Sequence, residues 1–296
     1  MDAPEESSLR ETEPRRNDGL AALDGGYDAL LCDIWGVLHD GERVHPPAVA
    51  ALRAFRRQGP VILITNAPRP ADEVAMLIAK LGAPADCYDS IVTSGEVTIS
   101  HVAERIDEAV FHLGPRRDLG LFERAGKLAG KAPRLTELES ADYVLCTGLF
   151  NDESETPRDY ASRLAAMHSR ELPFICANPD VIVHRGADVI YCAGALAEEY
   201  RRLGGETTMI GKPFKPIYEA ALAAARAVRP GLVKSRILAV GDGVATDLKG
   251  AEAFGLDALF IAGGIHRGDI VGDGFAPGVF KPLKSPPRFW ALALTP

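Results

Sequence analysis

Asp33 closes the apolar run Ala29-Leu30-Leu31-Cys32 and opens the turn Ile34-Trp35-Gly36-Val37. Far downstream, a second apolar run, Ile237-Leu238-Ala239-Val240, ends in Gly241-Asp242-Gly243, with Asp247 soon after. Short, wholly apolar runs fit strands buried on both faces of a parallel sheet. Two such strands, each ending in a carboxylate, imply parallel neighbours with their acids at one edge. In open α/β sheets that edge is where ligands bind. Paired carboxylates suit Mg²⁺, a hard cation that takes oxygen ligands and keeps positions open for a substrate phosphate.

The rest of the chain supplies the elements to hold such acids in place. Short apolar runs alternate with helical patterns almost throughout, and proline stands at or near several helix starts, where its geometry suits the first turn. Strand–helix alternation predicts an α/β fold: a Rossmann-like parallel-sheet core with right-handed crossovers. At 296 residues the chain is long enough for two domains. The expected division is a disordered lead-in over 1–24, a core over 25–106 plus 190–296, and an inserted α/β cap domain over 107–189. The tail Lys281–Pro296 carries Phe289-Trp290 and is expected to pack back on the body.

Bulk properties exclude several functions. The net charge of −8 argues against generic binding to nucleic acid or to an anionic membrane, both of which need basic patches. No apolar stretch approaches the ~20 residues of a membrane span. The charged start lacks the apolar region of a secretory signal. The five cysteines, Cys32, Cys87, Cys146, Cys176 and Cys192, show no metal-ligand spacing and read as reduced core residues of a cytoplasmic protein.

Four segments occur in a fixed order: Asp33-Ile34-Trp35-Gly36-Val37, Leu63-Ile64-Thr65-Asn66, Ile210-Gly211-Lys212-Pro213, and Val240-Gly241-Asp242-Gly243-Val244-Ala245-Thr246-Asp247. Their order and spacing resemble the haloacid dehalogenase superfamily of phosphohydrolases. Thr93-Ser94-Gly95, Asn178-Pro179-Asp180 and Gly194-Ala195-Leu196 are similar to the capped branch that includes N-acetylglucosamine-phosphate and p-nitrophenyl phosphate phosphatases, while Cys176–Asp180, Tyr191–Ala197 and Gly211-Lys212-Pro213 followed by Pro216-Ile217-Tyr218 resemble a bacterial subfamily of unknown substrate.

The resemblance implies Asp33 as a nucleophile that forms an aspartyl-phosphate, splitting one hard step into two. Lys212 would set its ammonium against phosphate and nucleophile. Thr65 and Asn66 would donate to phosphate oxygens, and Asn178 and Asp180 would contact substrate near the mouth of the site. Asp33, Asp242, Asp247 and the backbone carbonyl of Trp35 would hold Mg²⁺. Each also has a plainer reading: Asp33 as a turn cap, Asp247 as a first-turn acid favoured by the helix dipole, Lys212 as a surface lysine, and Asn178-Pro179 as an ordinary turn.

Trp35 breaks the pattern. The family usually places a second acid there, which protonates the leaving oxygen and then activates water. Indole only donates and cannot cycle a proton. Three readings follow. The first is a Mg²⁺-dependent phosphohydrolase of a small phosphorylated metabolite, with the usual general acid replaced by Trp35. The second is a catalytically weak or inactive phosphometabolite-binding protein. The third is a phosphoryl transferase that passes the group to an acceptor other than water. A homodimer paired through the cap is a further expectation from the resemblance.

Overall fold

The computed structural model describes residues 14–23, 26–185 and 188–296. Its strands are β1 (Arg15–Arg16), β2 (Ala29–Asp33), β3 (Val61–Thr65), β4 (Ser90–Thr93), β5 (Ala109–Leu113), β6 (Arg134–Leu135), β7 (Tyr143–Cys146), β8 (Phe174–Cys176), β9 (Ile182–Arg185), β10 (Asp188–Tyr191), β11 (Thr207–Met209), β12 (Ile237–Gly241), β13 (Asp257–Ile261), β14 (Ile270–Val271), β15 (Gly274–Phe275) and β16 (Phe289–Ala291). The α-helices are α1 (Pro46–Arg56), α2 (Ala71–Lys80), α3 (Ser94–Glu104), α4 (Gly120–Ala129), α5 (Ala161–Ser169), α6 (Ala193–Arg202), α7 (Lys215–Val228) and α8 (Lys249–Phe254).

The first sheet runs β1-β16-β13-β12-β2-β3-β4, with every neighbouring pair parallel. Alternate residues of its strands feed two cores, as the two-residue strand period requires. Leu30, Cys32, Leu63, Leu238 and Val240 meet Leu52 and Phe55 of α1 and Val74 and Ile78 of α2. Ala29, Leu31, Ile62, Ile64, Ile237 and Ala239 meet Ile217, Tyr218 and Ala221 of α7 and Phe254 of α8. Both faces are covered, so the strands read as continuous apolar runs.

The second sheet runs β11-β8-β7-β5-β6 and is also parallel throughout. One face carries α5 and α6, through Leu164, Met167, Leu196 and Tyr200. The other carries α3 and α4, through Ile99, Val102, Leu121 and Phe122. β9 and β10 form a separate two-stranded antiparallel sheet.

Two boundaries differ from expectation. Residues 190–209, expected in the core, supply α6 and β11 to the second layer, because β11 pairs with β8 and the apolar face of α6 covers that sheet. Of the lead-in expected to be disordered, residues 1–13 and 24 lie outside the described residues. Residues 14–23 are tied down instead: β1 extends the first sheet beside β16, and the Leu20 N–H donates to the Thr295 carbonyl at 3.0 Å. Backbone pairing with the C-terminal strand outweighs the polar composition. The tail packs back as expected, with Phe289, Trp290 and Leu294 buried.

Thr93-Ser94-Gly95 forms the joint between the layers. Thr93 caps α3, its Oγ1 accepting from the Glu96 N–H at 2.9 Å and donating to the Arg69 carbonyl at 2.6 Å. A Cβ on Gly95 would lie 2.3 Å from that same carbonyl oxygen, so only glycine fits this close approach. The Ser94 hydroxyl sits between the carbonyls of Ala177, at 2.5 Å, and Ile210, at 2.6 Å, and donates to one at a time. Those carbonyls belong to the chain leaving β8 and the chain returning after β11. One buried hydroxyl thus fastens both. Ser94→Ala strands these acceptors in the core and is expected to cost about 1–3 kcal/mol of unfolding free energy, read from urea denaturation.

Candidate active site

The strand register brings the distant acids together. β2 and β12 are parallel neighbours, with Val240 opposite Cys32, so Asp33 and Asp242 leave the same edge of adjacent strands. From β2 the sheet grows through β3 and β4 on one side and through β12 and β13 on the other. The acids therefore stand where the strand order reverses, the place where such sheets form a crevice.

Asp33, Asp242 and Asp247 each offer a carboxylate oxygen within 4.8 Å of the others, and all three are buried. Asp247 sits in a single π-type turn, Val244–Leu248, ahead of α8; such turns recur at functional sites. Its Oδ2 accepts from the Gly243 N–H at 3.1 Å. Asp242 Oδ2 accepts from the Ile265 N–H at 2.8 Å. The Asp242 carboxylate lies against two glycines: a Cβ on Gly36 or Gly264 would sit 1.9 or 2.0 Å from its Oδ2. Gly36 also has φ +82°, a conformation that side chains disfavour.

Lys212 is the counter-charge. Its Nζ donates to Asp33 Oδ1 at 2.6 Å and to Asp247 Oδ1 at 2.8 Å, with the ammonium almost wholly buried. Burial lowers its pKa, but Asp247 and Asp33 outweigh burial and hold Lys212 well above the usual lysine range. One ammonium does not neutralise three carboxylates. Burial first, and then repulsion from Asp247, push Asp33 well above the ordinary carboxylate range and Asp242 up to about 7. An all-oxygen donor set with surplus negative charge fits a hard divalent cation.

Asn66 performs a task that sequence reasoning did not assign to it. Its Oδ1 accepts the Lys212 N–H at 2.6 Å, while its Nδ2 donates to the Lys212 carbonyl at 3.2 Å and to Asp180 Oδ1 at 2.9 Å. The carboxamide thus clamps the lysine backbone and one acid of the second layer. Thr65 Oγ1 accepts from the Ala67 N–H at 3.2 Å, which leaves its proton available to donate. Asn178 spends its side-chain oxygen on the Asp180 N–H at 3.1 Å, forming a local turn.

Two cavities meet here. One, of about 420 Å³, is lined by Asp33, Lys212, Asp242, Asp247 and Asn66. The other, of about 350 Å³, lies between α2 and the second layer, lined by Val74, Leu77, Arg69, Asn178 and Tyr191. Asn178 therefore faces the second cavity and not the carboxylate cluster. Trp35, Thr65, Asp180 and Val183 line both. The Trp35 Nε1–H is donated across the layers to the His184 carbonyl of the β9–β10 hairpin at 2.7 Å, and its ring meets His39 edge-on.

The doublet Gly263-Gly264 at the end of β13 was the available sign of the Asp242 seat, since paired glycines at a strand end mark close backbone approach. Nothing local in the sequence announces the Asn66 clamp, whose partners stand at 180 and 212.

A family model described as haloacid dehalogenase-like hydrolase matches residues 30–127, and another described as HAD-hydrolase-like matches 209–280. The chain is 46% identical to a solved haloacid dehalogenase-like hydrolase from Brucella suis 1330, covering 94% of this chain and 100% of that one, with a TM-score of 0.84. A possible sugar phosphatase of the HAD superfamily from Cytophaga hutchinsonii shares the fold, with a TM-score of 0.73 at 21% identity, covering 93% and 97%. D-glycerol 3-phosphate phosphatase of Mycobacterium tuberculosis is 26% identical over 242 residues, 81% of this chain; the match spans 64% of that relative's length.

Gly264→Ala places a methyl group against Asp242 and is expected to weaken divalent-cation binding by about 10–100-fold, as loss of ligand support commonly does. Calorimetric Mg²⁺ titration of the variant and the parent protein checks this.

Proposed function

Because the chain belongs to the haloacid dehalogenase-like hydrolases, we propose that it is a Mg²⁺-dependent phosphohydrolase of a small phosphorylated metabolite, working through an aspartyl-phosphate on Asp33. The observation that carries this reading is the Lys212 ammonium bridging Asp33 and Asp247, with Asp242 completing a three-carboxylate cluster at the reversal of strand order.

Asp33 is the nucleophile. Its Oδ1 accepts from Lys212 and from the Ile34 N–H at 2.7 Å, bonds that hold the carboxylate in place and leave its other oxygen to attack phosphorus. Lys212 and the Thr65 hydroxyl stabilise charge on the transferring phosphoryl group, and the Asn66 side chain holds Lys212 to that task. Asp33, Asp242, Asp247 and the Trp35 carbonyl would hold Mg²⁺, which supplies neutralisation of the phosphate's charge when bound. The second layer, which we assign to residues 107–209 as a cap, covers the site and favours small substrates over polymers. The relatives named as phosphatases favour the same class of substrate. Five buried free thiols fit a reducing, cytoplasmic setting.

Asp33→Asn removes the nucleophile and is expected to bring release of inorganic phosphate from p-nitrophenyl phosphate and glycerol phosphates down to background. Chelation of divalent metal should do the same to the parent protein, with Mg²⁺ restoring it. Metal-dependent binding of the esters without turnover would mark a binding protein. Phosphoryl groups recovered on an added alcohol would mark a transferase.

A further inference from the structure

If the phosphohydrolase reading holds, a group must protonate the leaving oxygen, and Trp35 does not. Its one N–H is already donated to the His184 carbonyl. The two acid–base candidates close to it in sequence are also engaged. Asp40 Oδ1 accepts from the N–H groups of Glu42 at 3.0 Å and Arg43 at 2.9 Å, and these bonds hold its carboxyl below the usual range although burial opposes them. His39 Nδ1 accepts from the Gly41 N–H at 3.0 Å, and burial lowers its pKa to about 4, so the imidazole is neutral near pH 7.

A phosphate monoester with its phosphoryl group on Asp33 and its organic part in the neighbouring cavity has its bridging oxygen at the junction. Four residues line both cavities there: Trp35, Thr65, Asp180 and Val183. Val183 has no polar side-chain atom. The Thr65 hydroxyl donates hydrogen bonds but gives up its proton only at very high pH. Asp180 is the remaining group.

We propose that Asp180, carried by the second layer, is the general acid–base that substitutes for the missing acid of the first motif. Three observations agree. Its Oδ1 is fixed by the Asn66 Nδ2–H, and the same carboxamide fixes Lys212, so acid and nucleophile share one rigid reference. Its other carboxylate oxygen makes no hydrogen bond to protein among the described residues, and the residue lines both cavities. The residue is half-buried, and burial raises its pKa against the opposing pull of Lys212 and Asn66, the direction a proton donor needs.

The proton balance closes over one turnover. A carboxylate oxygen of Asp33 bonds to phosphorus, the bond from phosphorus to the leaving oxygen breaks, and the Asp180 proton passes to that oxygen. Asp180 is then a carboxylate. It takes a proton from water as the water oxygen bonds to phosphorus and the bond to Asp33 breaks. Inorganic phosphate leaves and Asp180 is protonated again.

The test uses leaving groups that differ in their need for a proton. Asp180→Asn keeps the oxygen that accepts from Asn66 and removes the acid. In single-turnover experiments with the full chain and Mg²⁺, cleavage of glycerol phosphate should slow by about 10²–10⁴-fold, while release of nitrophenolate from p-nitrophenyl phosphate slows by less than about tenfold. Equal slowing of the two, or no slowing of glycerol phosphate, overturns the assignment. Trp35→Asp is the second arm: with Asp180 already serving, alkyl ester cleavage does not rise above the parent's, and a gain there also overturns it. Failure of the parent protein to cleave either ester removes the phosphohydrolase reading itself, and this assignment with it.

Discussion

A buried ammonium between buried carboxylates is the constraint on which the site depends. Lys212 stands 2.6 Å from Asp33 and 2.8 Å from Asp247, with little solvent near any of them. Charges taken from water cost several kcal/mol each and survive only when paired and further hydrogen-bonded. The surrounding structure supplies those pairings. Adjacent parallel strands deliver Asp33 and Asp242, a π-type turn delivers Asp247, and backbone N–H groups of Ile34, Gly243 and Ile265 bond the three carboxylates. The lysine backbone is held in turn by a carboxamide from β3's end. Even so, the negative charge exceeds the positive, and that surplus suits the cluster to a divalent ion.

Much of this was legible from the chain alone, for a definite reason. β2 and β12 are buried on both faces, so their sequences are continuous apolar runs, and a carboxylate at the end of such a run has few plain explanations. Lys212 was legible through its segment's place in the series rather than through its own surroundings. What escaped is set by contacts between residues remote in sequence. Asn66 looks like any strand-end asparagine until 180 and 212 come to it. Arg15 and Arg16 sit in a polar stretch and join a sheet because β16 offers an open edge. The second layer extends to Met209 because β11 pairs with β8, a parallel match that no turn residue announces.

Trp35 illustrates how one substitution can shift a side chain from chemistry to architecture. In the family pattern its position carries an acid. Here the indole crosses to the β9–β10 hairpin and hydrogen-bonds its backbone, so a residue of the first sheet's edge contributes to seating the second layer. A bond of this kind is worth about 0.5–1.5 kcal/mol.

The two cavities divide their linings unevenly. The one holding the carboxylates takes them from the first sheet's edge; its neighbour is walled by α2 and by residues from the second layer, such as Arg117, Asp152 and Tyr191. Mutational drift at those wall positions would reshape the organic side of the space while the ion-holding side kept its coordinates. Descendants of this scaffold can therefore change their diet without relearning how to break a bond.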